Sequence, residues 1–370
     1  MLGRKPNNRI QPVSRQLCNK STVASVLLYQ QQIKRLQMKT YHAFLSILLF
    51  AGCLLTVLPI KAAPFAYVTS THDDAVTVID IANNTVVGDP IPVPGGPFGV
   101  VISPDGKYAY VETIIDDGVV VIDTATNSVV GDPIPIGHSF NCQTDMVISP
   151  NGKLLYASAS IIDTATNTVV GNLPFDVDLG CYAITPNGKF LYLTDFLANT
   201  VHVINTITNT AVGEPIPVGN GAWKAAITPN GKYVYVVNSD SYDVSVISTN
   251  TNTVVKTIPD VGNNPGSVAI TPNGKYAIVS NYLGLDVSFI DIASNTVQSH
   301  VPLMSPSNPV EVAVTQDGKY AYVTTGANIN VISIANKTVV DTIPVGGGGI
   351  AITPILKHGY PVGTSKNPRL

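Results

Sequence analysis

One turn sequence recurs along this chain at nearly regular intervals. Pro-Asn-Gly-Lys, Pro-Asp-Gly-Lys or a variant of them stands at 104–107, 150–153, 186–189, 229–232, 272–275, 316–319 and 354–357. Most of these turns are followed by a Val-Ile-Asp-Thr-like segment, as at 121–124. Because a period of 40 to 50 residues with short β-type runs is typical of propellers, the repeat predicts a β-propeller with one blade per copy.

Each repeat predicts four short antiparallel strands, A to D. In one copy they are A at 98–103, B at 108–113, C at 119–123 and D at 129–134. Gly106 reverses the chain between A and B, since glycine adopts a positive φ at low steric cost. Prolines fall in or just after strand D, and proline cannot donate a ladder hydrogen bond. Strand D is therefore predicted at the outer edge and strand A at the central channel.

The two ends of the repeat region predict how the ring closes. The first strand, 65–70, has the pattern of a B strand, and the last clear strand, 350–353, has the pattern of an A strand. We expect N-terminal strands B, C and D to pair with this C-terminal strand A in one blade. The prediction is an all-β, seven-bladed propeller of four-stranded antiparallel blades over 64–358, with a tail at 359–370.

The B strands carry a recognisable motif. Tyr67-Val68-Thr69-Ser70, Tyr235-Val236-Val237-Asn238 and Tyr322-Val323-Thr324-Thr325 resemble the YVTN β-propeller repeat, and the resemblance covers 64–354. It implies a propeller fold and an exported protein, because the family includes surface-layer and periplasmic proteins. Relatives include a periplasmic DNA-binding member, lactonase-type enzymes and the haem-d1 domains of nitrite reductases.

The N-terminal region has the composition of an export signal. Basic residues at 34, 35 and 39 precede an apolar run at 43–60, and Ala62-Ala63 follow. This order of basic, apolar and small residues predicts a secretory signal peptide at 38–63. Met38 is a natural start, so residues 1–37 are either part of the chain or an upstream extension misread into the gene. The protein is predicted to be periplasmic, secreted or on the cell surface.

Two other interpretations of the leader stay open. Phe50-Ala51-Gly52-Cys53 resembles a lipobox, and an apolar run of about 18 residues is just long enough to anchor a chain uncleaved. After residue 64 the sequence contains no run that predicts a membrane span.

The mature region is acidic. Of the 21 lysines and arginines, nine lie in residues 1–63, which leaves 12 against 24 Asp and Glu and a formal charge of −12. Phosphate binding requires clustered Lys and Arg, so nucleic acid is not predicted as a partner. The DNA binding of one YVTN relative is not carried over to this chain.

The sequence assigns no metal, cofactor or catalytic residue. The five histidines after residue 63 are scattered singly, and no Cys-x-x-Cys-His or Gly-x-Ser-x-Gly is present. Asp73-Asp74 and Asp116-Asp117 indicate either a calcium site or, as we favour, a solvated acidic rim. Candidate ionisable and polar groups for a hydrolase are Glu112, Asp145, Asn238, Asn281 and Glu311.

The two faces of the predicted ring differ in variability. The A–B and C–D turns are nearly uniform, whereas the D–A and B–C loops vary, and variable loops on a rigid scaffold usually carry the binding site. Aromatic residues occur in these loops or at the starts of A strands, including Phe196. The predicted ligand-binding residues are Phe98, Phe140, Tyr182, Trp223, Tyr242, Tyr282 and Glu311. The alternatives are rings that plug the channel or pack at contacts between blades, and an exposed Glu311 at a strand start.

These observations predict a binding or cell-envelope interaction module with its site at the channel mouth. The partner is an unknown protein, peptide, glycan or small molecule. The alternative is a lactonase-like or other hydrolase at the same mouth. An enzyme should bring several ionisable groups together there, whereas a binding module should present an aromatic or apolar patch.

One blade is predicted to be short, and two cysteines flank it. Only six residues separate Tyr156 from Asp163, against twelve between Tyr110 and Asp123. The missing residues belong to the B–C hairpin. Because exported proteins meet an oxidising compartment, Cys142 and Cys181 are predicted to form a disulfide across this blade. The alternative is two buried thiols.

Overall fold

The computed structural model describes residues 64–137, 146–174, 180–304 and 307–354. The predicted leader, the tail, Phe140 and Cys142 lie outside these residues. Within them the chain forms strands and turns without a helix. It follows that the described part of the chain contains no helix long and apolar enough to cross a membrane.

The strands form seven antiparallel sheets, which are the seven blades of a propeller. Blade 1 contains β1 (Phe65–Ser70), β2 (Ala75–Asp80), β3 (Thr85–Val86) and β4 (Ile91–Pro92). Blade 2 contains β5 (Pro97–Ile102), β6 (Tyr108–Thr113), β7 (Gly118–Asp123), β8 (Ser128–Val129) and β9 (Ile134–Pro135). Blade 3 contains β10 (Val147–Ile148), β11 (Leu154–Ala157), β12 (Ser160–Asp163) and β13 (Thr168–Asn172). Blade 4 contains β14 (Tyr182–Ile184), β15 (Phe190–Asp195), β16 (Thr200–Asn205), β17 (Thr210–Ala211) and β18 (Ile216–Pro217).

The remaining blades are more regular. Blade 5 contains β19 (Ala222–Ile227), β20 (Tyr233–Asn238), β21 (Asp243–Ser248) and β22 (Thr253–Ile258). Blade 6 contains β23 (Pro265–Ile270), β24 (Tyr276–Asn281), β25 (Asp286–Asp291) and β26 (Thr296–Pro302). Blade 7 contains β27 (Pro309–Val314), β28 (Tyr320–Thr325), β29 (Ile329–Ser333) and β30 (Thr338–Ile343). The last strand, β31 (Ile350–Ile352), belongs to blade 1.

The ring closes as the sequence predicts. Strand β31 pairs antiparallel with β1, so that Ile350 faces Val68 and Ala351 faces Tyr67. Beyond β31 the backbone N–H of Phe65 donates to Thr353 Oγ1 at 2.8 Å. Blade 1 is therefore built from both ends of the described chain. The predicted fold, a seven-bladed propeller with this closure, is confirmed.

Strand D differs from the prediction in three blades. In blade 2 it is not one strand at 129–134 but two short pieces, β8 and β9, which both pair with β7. Gly131, with a φ of 70°, breaks the strand between them. Blades 1 and 4 carry the same Gly-acid-Pro sequence and are split in the same way. Blades 5 to 7 lack that sequence, and their D strands are continuous.

The hydrophobic core is divided among the interfaces between neighbouring blades. Each of the seven buried apolar clusters among the described residues joins two neighbouring blades. In one of them Tyr67 and Val76 of blade 1 pack with Val111 and Ile122 of blade 2. Both faces of strands B and C are thus buried, which explains why these strands are almost continuously apolar.

The tyrosine of the B-strand motif joins four of the described blades to the blade that follows. In four blades its hydroxyl donates to an asparagine Oδ1 in the C–D turn of the following blade. These pairs are Tyr67–Asn127 at 2.6 Å, Tyr192–Asn252 at 2.7 Å, Tyr235–Asn295 at 2.5 Å and Tyr322–Asn84 at 2.5 Å. The last pair joins blade 7 to blade 1. Burial raises the pKa of Tyr67 and of Tyr192 to about 12 and also raises the pKa of Tyr235 and Tyr322.

These tyrosines predict an alkaline limit to stability. Their pKa in the folded protein lies above the value of about 10 of an unfolded chain. The stability that they contribute is therefore complete below pH 10 and is lost as the pH rises through about 12. We expect the urea midpoint to fall over this range, together with the appearance of tyrosinate absorbance, and to fall less in Tyr192→Phe. Titration of every tyrosine near pH 10 without unfolding would contradict this.

The repeated Pro-Asn-Gly-Lys turn is a structural contact between blades. A Cβ added to Gly152 would lie 3.3 Å from Pro104 of the preceding turn, and Gly188 has the same relation to Pro150. Pro354 of blade 1 packs in this way on Gly106 of blade 2. The turn in blade 7 has Gln316 in place of proline, and the next turn in the ring, at 354–357, has no glycine. The one turn that lacks the proline is therefore the turn whose following copy lacks the glycine that would contact it.

The short blade is blade 3. Its strands β11 and β12 have four residues each, whereas β6 and β7 have six. They are joined by Ser158 and Ala159, whose φ angles of 41° and 62° are those of a tight two-residue hairpin turn. The shortened B–C hairpin that the sequence predicts is therefore present.

Candidate functional site

A cavity of about 390 Å³ opens at the mouth of the channel, on the face of the D–A and B–C loops. Part of its lining comes from the second residues of β5, β19, β23 and β27 and the first residue of β27, and the rest comes from loops. The residues that line it are Phe98, Phe196, Trp223, Ser239, Asp240, Asn264, Gly266, Tyr282, Pro309, Val310 and Gly348. The A strands of four blades thus contribute residues to one cavity.

Two rings form a corner in this cavity. Phe196, in the B–C loop of blade 4, and Trp223, at the start of β19 in blade 5, have centroids 5.3 Å apart and planes inclined at 82°. Both side chains are partly exposed. Edge-to-face pairs of this kind are favourable. Because both rings line the cavity, they form two of its walls, which stand at nearly a right angle.

The B-strand motif also positions the lining. The threonine two residues after the motif tyrosine donates from its Oγ1 to the backbone carbonyl of a lining residue in the next blade. The bonds are Thr69 to Phe98 at 2.5 Å, Thr194 to Trp223 at 2.6 Å and Thr324 to Gly348 at 2.6 Å. The tyrosine and the threonine of one motif therefore fix opposite ends of a blade interface, and the threonine fixes the end at the cavity.

The polar part of the rim is held by backbone contacts. Ser239 and Asp240 lie beside Gly221, whose φ is 72°. A Cβ at Gly221 would come within 2.7 Å of Ser239 Oγ and 2.8 Å of Asp240 Cγ, so only glycine fits there. The Nδ2 of Asn264 donates to the Ser239 carbonyl at 3.3 Å and joins blade 6 to blade 5.

An ion pair lies next to the cavity lining on the innermost strands. Lys224 of β19 and Glu311 of β27 form a salt bridge across blade 6, and their side chains are 12% and 16% exposed. Ser267 of β23, between them in the ring, donates from Oγ to Glu311 Oε1 at 2.7 Å. All three follow a lining position by one residue. Because they are on A strands two blades apart, the bridge runs inside the ring.

The structure places the predicted ligand-binding residues in different surroundings. Phe98, Trp223 and Tyr282 line the cavity. Glu311 pairs with Lys224 instead of being exposed at a strand start. Tyr182 is buried in the cluster between blades 3 and 4, where its hydroxyl accepts from the N–H of Ala159 at 3.0 Å. Tyr242 is 47% exposed in a B–C turn outside the cavity.

Three predictions involve residues that lie outside the described part of the chain. Phe140, a predicted ligand-binding residue, and Asp145, a polar candidate for a hydrolase, both lie there. Cys181 is buried just before β14, but Cys142 is not described, so the disulfide remains a prediction.

The remaining polar candidates that the structure describes, Glu112, Asn238 and Asn281, have internal hydrogen bonds. Glu112 is buried in β6 and accepts from Ser158 Oγ of blade 3 at 2.6 Å. Asn238 donates from Nδ2 to Asp243 at 2.6 Å, and Asn281 donates in the same way to Asp286 at 2.5 Å. Both asparagines are completely buried, which indicates a role in holding the B–C turns. Among the described residues no three His, Cys, Asp or Glu side chains are grouped as metal ligands.

Several site residues were not predicted from the sequence. Ser239, Asp240 and Asn264 lie in the variable loops but are not aromatic, and Phe196 is an aromatic residue of these loops that is not among the predicted ligand-binding residues. A signal was available for the A-strand positions. Phe98 and Trp223 each stand five residues before the Ser or Thr that begins the A–B turn, and Lys224 and Glu311 stand four before it.

Comparisons with known proteins agree on the fold. No protein-family model matches the sequence, and no curated sequence matches it. Among solved structures, the chain is similar to the hydrazine synthase of Kuenenia stuttgartiensis, with a TM-score of 0.64 and 22% identity over 73% of this chain and 92% of that one. It is also similar to a functionally unknown protein from Desulfotomaculum acetoxidans, with a TM-score of 0.66 and 17% identity over 78% and 99%.

A third similar structure is the dihydro-heme d1 dehydrogenase NirN in complex with DHE, with a TM-score of 0.61 and 16% identity over 80% of this chain and 78% of that one. Identities this low establish a shared propeller fold. They do not extend to activity, because propellers host many unrelated functions.

Proposed function

We propose that this protein is a binding module that holds its ligand in the cavity at the channel mouth. One observation carries the proposal. Four aromatic rings from four blades, those of Phe98, Phe196, Trp223 and Tyr282, line a single cavity. Aromatic-lined concave sites with a few polar groups are the usual form of a ligand pocket. The cavity lies on the variable face, whereas the uniform turns of the other face are occupied by contacts between blades.

Export and membership of the YVTN family are part of the proposal. They are supported by the Tyr-Val-Thr motif, whose two hydrogen-bonding residues both act between blades, and by the basic, apolar and small segments of residues 34–63. A cleaved leader predicts that the exported protein begins near Pro64. Recovery of the exported protein with an intact N-terminus would contradict cleavage.

A hydrolase is the second candidate, and the contact of Lys224, Ser267 and Glu311 is the observation in its favour. A serine beside a carboxylate and an amine has the residue types of an activated nucleophile. Ser267, however, is completely buried, and its hydroxyl is directed to Glu311. A substrate in the cavity would have to reach past the lining to contact it. The binding role therefore has the stronger support.

A variant at Trp223 tests the proposed site. We expect a ligand found by a thermal-shift screen of the purified protein to bind Trp223→Ala at least about tenfold more weakly, because central aromatic residues contribute most of the affinity of such sites. Isothermal titration calorimetry measures the change. The matched control is Lys232→Ala in a uniform turn, which should bind normally. Loss of binding in the control but not in Trp223→Ala would mean that the ligand binds at the face of the uniform turns and not at the cavity.

A further inference from the structure

The face that contains the cavity has a one-sided charge. Its described D–A and B–C loops contain no lysine or arginine. Their acidic residues are Asp73, Asp74, Asp116, Asp117, Asp240 and Asp260. By contrast, six of the twelve basic residues after residue 63 are in the A–B turns of the opposite face. The loops of the face that contains the cavity therefore carry a net negative charge, which attracts cations to that face.

The cavity itself has one exposed charge, and that charge is negative. Asp240 lies on the rim with its backbone N–H bonded to the carbonyl of Asn220 at 3.1 Å. The only lysine next to the lining within the described residues is Lys224, and its charge is neutralised by Glu311. A ligand that enters the cavity consequently meets a negative carboxylate and a neutral ion pair.

The aromatic corner is suited to a compact cation. A cation is attracted to the face of a Trp, Phe or Tyr ring, and the attraction grows when the cation is desolvated. The planes of Phe196 and Trp223 stand at 82°, so a group beside their contact meets aromatic walls in two directions, which suits a rounded head group better than a flat sugar ring. A planar platform of parallel rings would instead favour stacking of a flat ligand. The geometry and the charge thus point in the same direction.

We infer that the cavity binds a lysine or arginine side chain from a basic peptide segment of a partner protein. The cationic group lies in the corner of Phe196 and Trp223 near Asp240, and neighbouring basic residues of the peptide lie over the aspartates of the surrounding loops. This inference rests on the proposed binding function and specifies its ligand class. A peptide is the chosen source because the acidic loops extend well beyond a cavity of about 390 Å³.

The protein contains a natural reporter for this test. Trp223 is the only tryptophan of the chain, so intrinsic tryptophan fluorescence of the purified full chain reports on the cavity alone. Hexa-arginine and hexalysine are titrated at low salt, with hexaglutamate, choline and neutral oligosaccharides as comparison probes. We expect the basic peptides to change the fluorescence and hexaglutamate not to. The affinity should fall when the salt is raised to 1 M, where the screening length is only about 3 Å.

Two variants separate the parts of the site. Phe196→Leu keeps an apolar side chain but removes the ring. It should lower the affinity for the basic peptides about fivefold. Asp240→Asn should lower the same affinity about threefold at low salt and by less at high salt. The matched control is Asp105→Asn on the opposite face. It removes the same charge, and four other copies of that turn naturally carry asparagine, so it should leave binding unchanged.

The outcomes distinguish this inference from the proposed function. Binding of choline as tight as that of the peptides would overturn the peptide as the source. Binding of a neutral oligosaccharide that is sensitive to Trp223→Ala, without binding of the peptides, would overturn the inference and leave the proposed function standing. A ligand screen in which no probe of any class binds at the cavity would overturn both. Peptide binding that is unchanged in Phe196→Leu and Asp240→Asn would place the peptides elsewhere.

Discussion

Removal of residues 350–370 is expected to destabilise the whole propeller. Strand β31 supplies the innermost strand of blade 1, and Ile350 is buried in the cluster that joins blades 7 and 1. Without it the ring is open, and Tyr67 and Val68 keep their partners in β2 but lose those on the channel side of β1. We expect a loss of more than about 3 kcal/mol and a decrease in Tm of about 10 °C, beyond the effect of most point substitutions.

A shorter truncation provides the control. Ending the chain after Pro354 removes 355–370 but keeps β31, the hydrogen bonds of Thr353 with Phe65 and the contact of Pro354 with Gly106. Its Tm should stay within about 2 °C of that of the full chain, because the described closure contacts all remain. Thermal unfolding of both truncations measures the difference. If the chain ending at 349 melts like the full chain, the closure through β31 does not carry the stability of the ring.

The fold was predictable because each copy of the repeat has the same turn residues and the same pattern of apolar strands. The bounds of β1 and β6 agree with the sequence-based bounds to the residue. Strand D departs from the prediction in blades 1, 2 and 4, since a Gly-acid-Pro segment such as Gly131-Asp132-Pro133 breaks it. The presence or absence of this segment in a copy therefore indicates whether its strand D is split, just as the residues common to all copies indicate the fold.

The site was predictable in kind but not in detail. Aromatic residues in variable loops led to Phe98, Trp223 and Tyr282, which do share a cavity. Tyr182 stands only three residues before the threonine of its A–B turn, not five as Trp223 does. That shift in register places its ring between blades instead of at the channel mouth. Counting back from the turn would have separated the two cases.

The ion pair was beyond the reach of sequence alone. Lys224 and Glu311 are 87 positions apart, and their partnership depends on the curvature that brings blades 5 and 7 together across blade 6. Both residues do occupy the same register of strand A. Equivalent positions in a ring face a common axis, so opposite charges at one register are a signal for contact across a channel. A pairing of this kind follows from the closed ring and not from any single repeat.

Breaking this ion pair is the second large effect that we expect. Lys224→Met removes the cation but leaves the carboxylate of Glu311 in a site where its side chain is only 16% exposed. Removing one partner of a buried pair typically costs 3 to 5 kcal/mol, and the residual exposure reduces this to about 2–4 kcal/mol here. The urea midpoint of the full chain measures the loss. Glu311→Leu should produce a loss of similar size, since it leaves the Lys224 ammonium in the same place.

The double variant Lys224→Met/Glu311→Leu determines what the pair contributes. Replacing both charges with apolar side chains avoids leaving either one behind, so the double variant should lie within about 1 kcal/mol of the native chain. A coupling energy near zero, with each single variant costing less than about 1 kcal/mol, would show that the pair behaves as a solvated surface pair. In that case water reaches the channel next to the cavity. The expected large coupling would instead mean that Lys224 and Glu311 are shielded from water beside the aromatic lining, where each charge depends on the other.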